Sequence, residues 1–200
     1  MNSLRGFEQK RAAISRLWEE GDYDSALVEV ERLLEKWPGN GHLHILWASL
    51  VQLQENPKDS LEEAKQSLQR AVDLDRSSPA GAIELGHFLD SVDDDPRAAS
   101  KAYAEGVVHA RHLLIEGLIG QANAFLQLDR QDDALECIRE VLNSIRFDPK
   151  SKAGKTEGPA PDLPFGSIMG EIVGIQLNGP YACRVEELLS ELFARRTVPS

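Results

Sequence analysis

A few stretches of this chain carry residue types and spacings that could do chemistry. Ala153-Gly154-Lys155-Thr156 ends in the Gly-Lys-Thr of a phosphate-binding loop, whose backbone amides and lysine would cradle a nucleotide. Such a loop needs a glycine five residues before the second one and a helix N-terminus facing the phosphate. Pro149 stands at the glycine position and Glu157-Gly158-Pro159 follows, so the motif fails. The five histidines are candidates for metal ligation. His42 and His44 are two apart and diverge on a helix, whereas His109 and His112 are three apart and can share a face. Zinc would need two more ligands beside them, and no spacing supplies these. Cys137 and Cys183 stand in no metal-ligand spacing, and Cys137, next to Ile138 in a helical pattern, reads as a buried apolar residue. No Ser/His/Asp or Cys/His arrangement and no isolated carboxylate pair stands out from a background of 33 acidic residues. No catalytic residue is therefore assigned, and the expectation is a chain that is not an enzyme and carries no metal or cofactor.

Composition narrows the partners. The 200 residues carry a net charge of −11, with acidic runs at Asp93-Asp94-Asp95 and from Asp129 to Asp133. Such a surface repels phosphate backbones, which argues against nucleic acid and favours basic protein partners. Aromatic residues make up only 6%, so the core should consist of Leu, Val, Ile and Ala, the composition of stacked helices. The segment MNSLRGFEQKRAA lacks the apolar stretch of a signal peptide, no apolar run reaches membrane-spanning length, and the cysteines imply no disulfide framework. A cytoplasmic protein without a membrane partner is expected.

The elements that would position any site are repetitive. GDYDSALVEVERLLEKWP, SLEEAKQSLQRAVDLD, DPRAASKAYAEGV and RQDDALECIREVL share an amphipathic pattern anchored on Ala26, Ala64, Ala99 and Ala134, spaced 38, 35 and 35 residues apart. Each is preceded by another amphipathic helix: KRAAISRLWEE, LHILWASLVQLQ, AIELGHFLDS and LIGQANAFLQL. A period in this range marks a stack of helix pairs. Pro57 should stop a helix near Glu55, and Asp95-Pro96 should cap and open one. Residues 150–164 are rich in Lys, Gly and Pro and read as a linker. In FGSIMGEIVGIQLNGP, glycines 166, 170 and 174 would share one face of a helix, yet the β-branched residues equally suit an extended segment. YACRVEELLSELFARR (181–196) is a final amphipathic helix with Val185, Leu188, Leu189 and Leu192 on one side, suited to capping a stack.

The repeat spacing resembles the tetratricopeptide repeat (TPR) family, over roughly residues 7–150. The units would be 7–40, 41–78, 79–114 and 115–149, followed by an irregular segment at 150–180 and the capping helix at 181–196. In that family a small residue of the first helix packs against the alanine of the second. Ala48, Gly86 and Ala122 fill this place opposite Ala64, Ala99 and Ala134, while the first unit departs with Ile14. The turn glycine and its following aromatic match Gly21 and Tyr23, and the closing proline matches Pro38, but the second unit has Arg76 there and the fourth reaches Pro149 late.

The resemblance implies an all-α, right-handed helical solenoid of four helix-turn-helix units whose first helices line a concave, peptide-binding groove. In register, that groove would present Arg11, Ser15 and Trp18 from the first unit and His42, Ile45 and Ser49 from the second. The third would add Ile83, His87 and Asp90, and the fourth Ile119, Asn123 and Gln127. The carboxylate clamp with which some family members grip heat-shock chaperones is absent. Arg11 alone resembles a clamp residue, and Ser15, Leu46, Ala80 and Glu84 occupy the other places. The function implied is a non-enzymatic adaptor or assembly chaperone that binds a protein segment, with residues 165–177 as an internal competitor for the groove. The alternatives are a homo-oligomerisation scaffold and, behind it, a small-ligand sensor or enzyme built around His87, Asp90 and Asn123.

Overall fold

The computed structural model describes residues 2–55, 58–145, 172, 175 and 180–196. Among these the secondary structure is all helix, without strands: α1 (Asn2–Glu19), α2 (Tyr23–Lys36), α3 (Gly41–Leu53), α4 (Leu61–Leu74), α5 (Pro79–Ser91), α6 (Pro96–Gln127), α7 (Gln131–Ile145) and α8 (Pro180–Arg196). None of them is long and apolar enough to cross a membrane. Most of the expected segment at 150–180 lies outside the described residues.

The helix ends follow from local chemistry. Asp22 caps α2 by accepting from the Ser25 amide at 3.1 Å, and the Ser25 hydroxyl, followed by that amide, holds its carboxyl below the usual carboxylate range. Asn40 and Ser78 cap α3 and α5 in the same way. Ser60 and Glu63 form a reciprocal capping box at the start of α4. Asp95 accepts from the Ala98 amide at 2.9 Å, and Pro96, with no amide proton to waste, opens α6. At the other ends, Gly21, Asp94 and Asp129 adopt φ of 76°, 50° and 58°. The residue after each sends its amide back to a carbonyl five or six residues earlier: Asp22 to Leu17, Asp95 to Leu89 and Arg130 to Phe125. This left-handed stop reverses the chain and satisfies the last carbonyls of the helix.

One junction differs from the expectation. The repeat register separates the third and fourth units between residues 114 and 115, but α6 runs unbroken through that point. The residues from Ala104 to Gly120 contain no proline and no residue in the left-handed region, so nothing there ends a helix. Glycines 106, 117 and 120 weaken helical preference by about 1 kcal/mol each, less than a proline would.

The chain divides into two compact units, Met1–His109 and Ala110–Ser200. In the first, α3 packs against α2, α4 and also α5, so alternate helices form a face of their own. The anchors Ala26, Ala64 and Ala99 are at most 2% exposed and lie in one apolar cluster with Ile14, Leu33, Leu43, Leu50, Leu68 and Phe88. Helices approach closely where side chains are absent. A methyl group on Gly41 would lie 3.1 Å from the Ala71 carbonyl, and one on Gly81 would lie 3.1 Å from the Val72 amide.

In the second unit the core joins Ile115, Leu118, Ile119 and Ala122 of α6 to Ala134, Ile138 and Val141 of α7. Tyr181, Val185, Leu188 and Leu189 of α8 cover this cluster. The Tyr181 hydroxyl pairs with Asp132, which raises its pKa. Ile172 and Ile175 are buried in the same cluster, and the Ile175 amide donates to the Ile172 carbonyl at 3.1 Å. The self-occlusion expected of 165–177 otherwise falls outside the described residues.

Gly21→Ala should destabilise the protein by about 1 kcal/mol and Asp94→Gly should stabilise it by a similar amount, read by chemical denaturation, because only glycine enters the left-handed region without penalty. Burial, then Glu140 and Asp133, raise the Cys137 thiol pKa, while Cys183 is exposed. A thiol reagent should therefore label Cys183 in the native protein and reach Cys137 only after denaturant is added.

Candidate functional site

The first unit offers a solvent-facing depression of about 330 Å³ lined by Arg11, Ile14, Ser15, Trp18 and Glu19 of α1 and His42 and Leu46 of α3. Helical spacing explains the α1 side. Residues 11, 15 and 18 follow one another at three- and four-residue steps and so share a stripe. Ile14, only 1% exposed, anchors that stripe to the core. Trp18 is half-buried, with its ring edge-on to Tyr23 at 5.9 Å between centroids. Arg11, Ser15 and His42 are exposed, and Arg11 forms no ion pair among the described residues. The result is an apolar floor of Ile14, Trp18 and Leu46 under a free guanidinium, a hydroxyl and an imidazole.

Further along α3, Ile45 is half-buried against the core, and the Ser49 hydroxyl donates to the Ile45 carbonyl at 3.1 Å. Ser49 therefore spends its proton on its own helix. On α5, Ile83 faces α6: a methyl on Gly106 would lie 2.7 Å from its Cγ1. His87 is exposed, and its Nδ1 shares a hydrogen bond of 2.8 Å with the Tyr103 hydroxyl of α6. The two rings meet edge-on at 5.3 Å. Burial, followed by the charges of Asp90 and Glu84, pushes the Tyr103 pKa up, so the hydroxyl stays protonated. Asp90 itself is exposed.

Four of the expected groove residues, Arg11, Ser15, Trp18 and His42, thus share one depression. Ile119 does not face a ligand surface. At 7% exposure it belongs to the second unit's core, because its stretch of α6 supplies the apolar face for α7, Ile172 and Ile175. Asn123 and Gln127 are exposed in that unit. Tyr103 was missed in the sequence, where Leu46 figured only as the occupant of a clamp place. Tyr103 had a legible signal, since Gly86 has no side chain and a methyl there would lie 2.7 Å from the Tyr103 ring.

The remaining histidines act structurally. His44 bridges the Pro38 carbonyl and Ser67 Oγ, both at 3.0 Å. His109 and His112 stand near Glu105 and Glu116, each one helical turn away along α6. Among the described residues no group of three or more His, Cys, Asp or Glu is placed to hold a metal ion. The depression offers hydrogen-bond donors over an apolar floor.

Comparison with known proteins adds one relative. The chain is 34% identical over 98 residues to an "Uncharacterized 18.1 kDa protein in carS 3'region" of Myxococcus xanthus, a match spanning 49% of this chain and 56% of the relative. The chain thus covers a little over half the length of that protein. No family model matches the sequence. No solved structure matches it either.

Gly86→Ala should drive the Tyr103 ring off His87 and cost about 1–3 kcal/mol, as overpacking does. Tyr103→Phe, which removes only an exposed hydrogen bond, should cost less than about 1 kcal/mol. Denaturant titration of both variants checks the order.

Proposed function

We propose that this protein is a helical repeat protein of the tetratricopeptide type that binds a segment of another protein, without catalysis, on the face formed by α1, α3 and α5. The observation that carries the reading is the shared depression of Arg11, Ser15, Trp18 and His42, residues that the repeat register assigns to first helices. Support also comes from the contact of α3 with α5, the neighbour relation that alternate helices of a paired stack have. The unpaired Arg11 guanidinium and the His42 ring are free to bond a partner's backbone carbonyls. The floor of Ile14, Trp18 and Leu46 takes one apolar side chain. Glu19, Glu84 and Asp90, on a chain of net charge −11, favour basic residues elsewhere in the segment. A pre-formed groove limits the ordering cost of binding to the partner.

A photo-crosslinker at position 15 tests this, with one at the exposed position 69 on α4 as the control. A defined partner should crosslink from 15 and not from 69. Arg11→Ala combined with His42→Ala should then weaken its binding at least roughly tenfold, about 1.4 kcal/mol. Equal crosslinking from both positions, or unchanged affinity in the double variant, would reject this surface.

A further inference from the structure

The depression between α1 and α3 has a neighbour. His42, which walls it, also walls a second opening of about 480 Å³ at the α2–α3 turn, together with Trp37, Gly39, Leu74 and Asp75. All of these residues belong to the first unit. Two openings that share one side chain lie about two or three residues of extended chain apart, roughly 7–10 Å. Further along α3, two side chains turn their protons back on their own helix: the Ser49 hydroxyl donates to the Ile45 carbonyl, and the Gln52 side-chain amide to the Ala48 carbonyl. A segment seated on Ile14, Trp18 and Leu46 therefore finds more to bind by passing over the start of α3 towards the turn.

The second opening combines an indole, an aliphatic side chain and a carboxylate. Trp37 is half-buried, and Phe7 of α1 meets its ring edge-on at 5.1 Å between centroids, which fixes the plane of the indole. Leu74, the last residue of α4, is 40% exposed. Asp75 follows it, and its Oδ1 accepts from the Ser77 hydroxyl at 2.9 Å and the Ser78 amide at 3.2 Å. Its Oδ2 has no partner among the described residues, since Arg76, the cation beside it in sequence, pairs with Asp73 at 3.9 Å instead. The carboxylate is thus held in place with one oxygen left to accept. A side chain on Gly39 would meet nothing within 4 Å, so the turn leaves the opening clear.

We infer that this opening is a second subsite for the same partner segment and takes a lysine or arginine side chain. The inference rests on the binding face proposed above and names the chemistry of what occupies it. The aliphatic stem of such a residue lies along Leu74 and Trp37, where a cation near an indole gains a further attraction. Its charged head reaches Asp75 Oδ2. An acidic side chain is repelled by Asp75, and an apolar one sets that carboxylate against a group with nothing to donate. The partner segment then carries an apolar residue for the floor of Ile14, Trp18 and Leu46 and a basic residue two or three positions away. The His42 ring stands beside the backbone between them. An exposed ion pair and a cation–π contact together favour the basic residue over alanine by roughly fivefold.

The test pans a phage-displayed library of random dodecapeptides against the full-length protein, the double variant Arg11→Ala with His42→Ala, and Asp75→Asn. Asparagine keeps an oxygen for Ser77 and Ser78 and removes the charge, and circular dichroism checks that each variant holds its helical content. Peptides selected by the unaltered protein and lost with the double variant should carry lysine or arginine two or three positions from an apolar residue. Replacing that basic residue by alanine in a synthetic peptide should weaken binding roughly fivefold, and should change nothing against Asp75→Asn. Asp75→Lys should move the selection at that one position to aspartate or glutamate, which a purely structural role of Asp75 would not do. Peptides that depend on Arg11 and His42 but show no basic preference, or keep it with Asp75→Asn, overturn the subsite and leave the binding face standing. If no selected peptide depends on Arg11 and His42, the binding face itself fails, and the subsite with it.

Discussion

Close approach of helix to helix governs this structure. Packed helices hold their axes about 8–10 Å apart, and they reach the near end of that range where the side chains between them are small. In the first unit those places are Ala26, Ala48, Ala64 and Ala99, all at most 2% exposed, together with Gly41 and Gly81, whose backbones touch those of Ala71 and Val72. A larger side chain at any of them would separate two helices and open the apolar cluster that joins α1 to the start of α6. The leucines and isoleucines between these points supply the transfer free energy, and the small residues set the geometry in which it is gained.

The same constraint builds the candidate site. Gly86 leaves room for Tyr103, and Tyr103 then fixes the orientation of His87. Ile14 and Leu46 are held by the core and form the floor over which Arg11, Ser15 and His42 stand. The polar groups on this surface are thus carried by rigid helices rather than by loops, which limits the freedom lost when a partner binds.

Where the chain turns, local chemistry decides, and where it lacks that chemistry it stays helical. Gly21, Asp94 and Asp129 each end a helix in the left-handed conformation, and Asp22, Asn40, Ser60 and Asp95 each start one. Between Gly106 and Gly120 neither device is present, and α6 continues.

The sequence by itself determined the helices, their caps and their anchors. A 3.6-residue period, a capping side chain and a buried alanine are each decided within a few neighbouring residues, and so Ala26, Ala64, Ala99 and Ala134 could be picked out with their spacing. It also placed Arg11, Ser15, Trp18 and His42 on corresponding helix faces. Only the tertiary structure decided which of those faces stayed open. Ile119 and Ile83 have the same periodicity as exposed positions, but one is covered by Ile172, Ile175 and α7 and the other by Gly106 of α6. Burial depends on which distant segment arrives. The unbroken course of α6 was likewise invisible to the repeat register, because a repeat records which faces pair and carries no information on whether the chain between them bends.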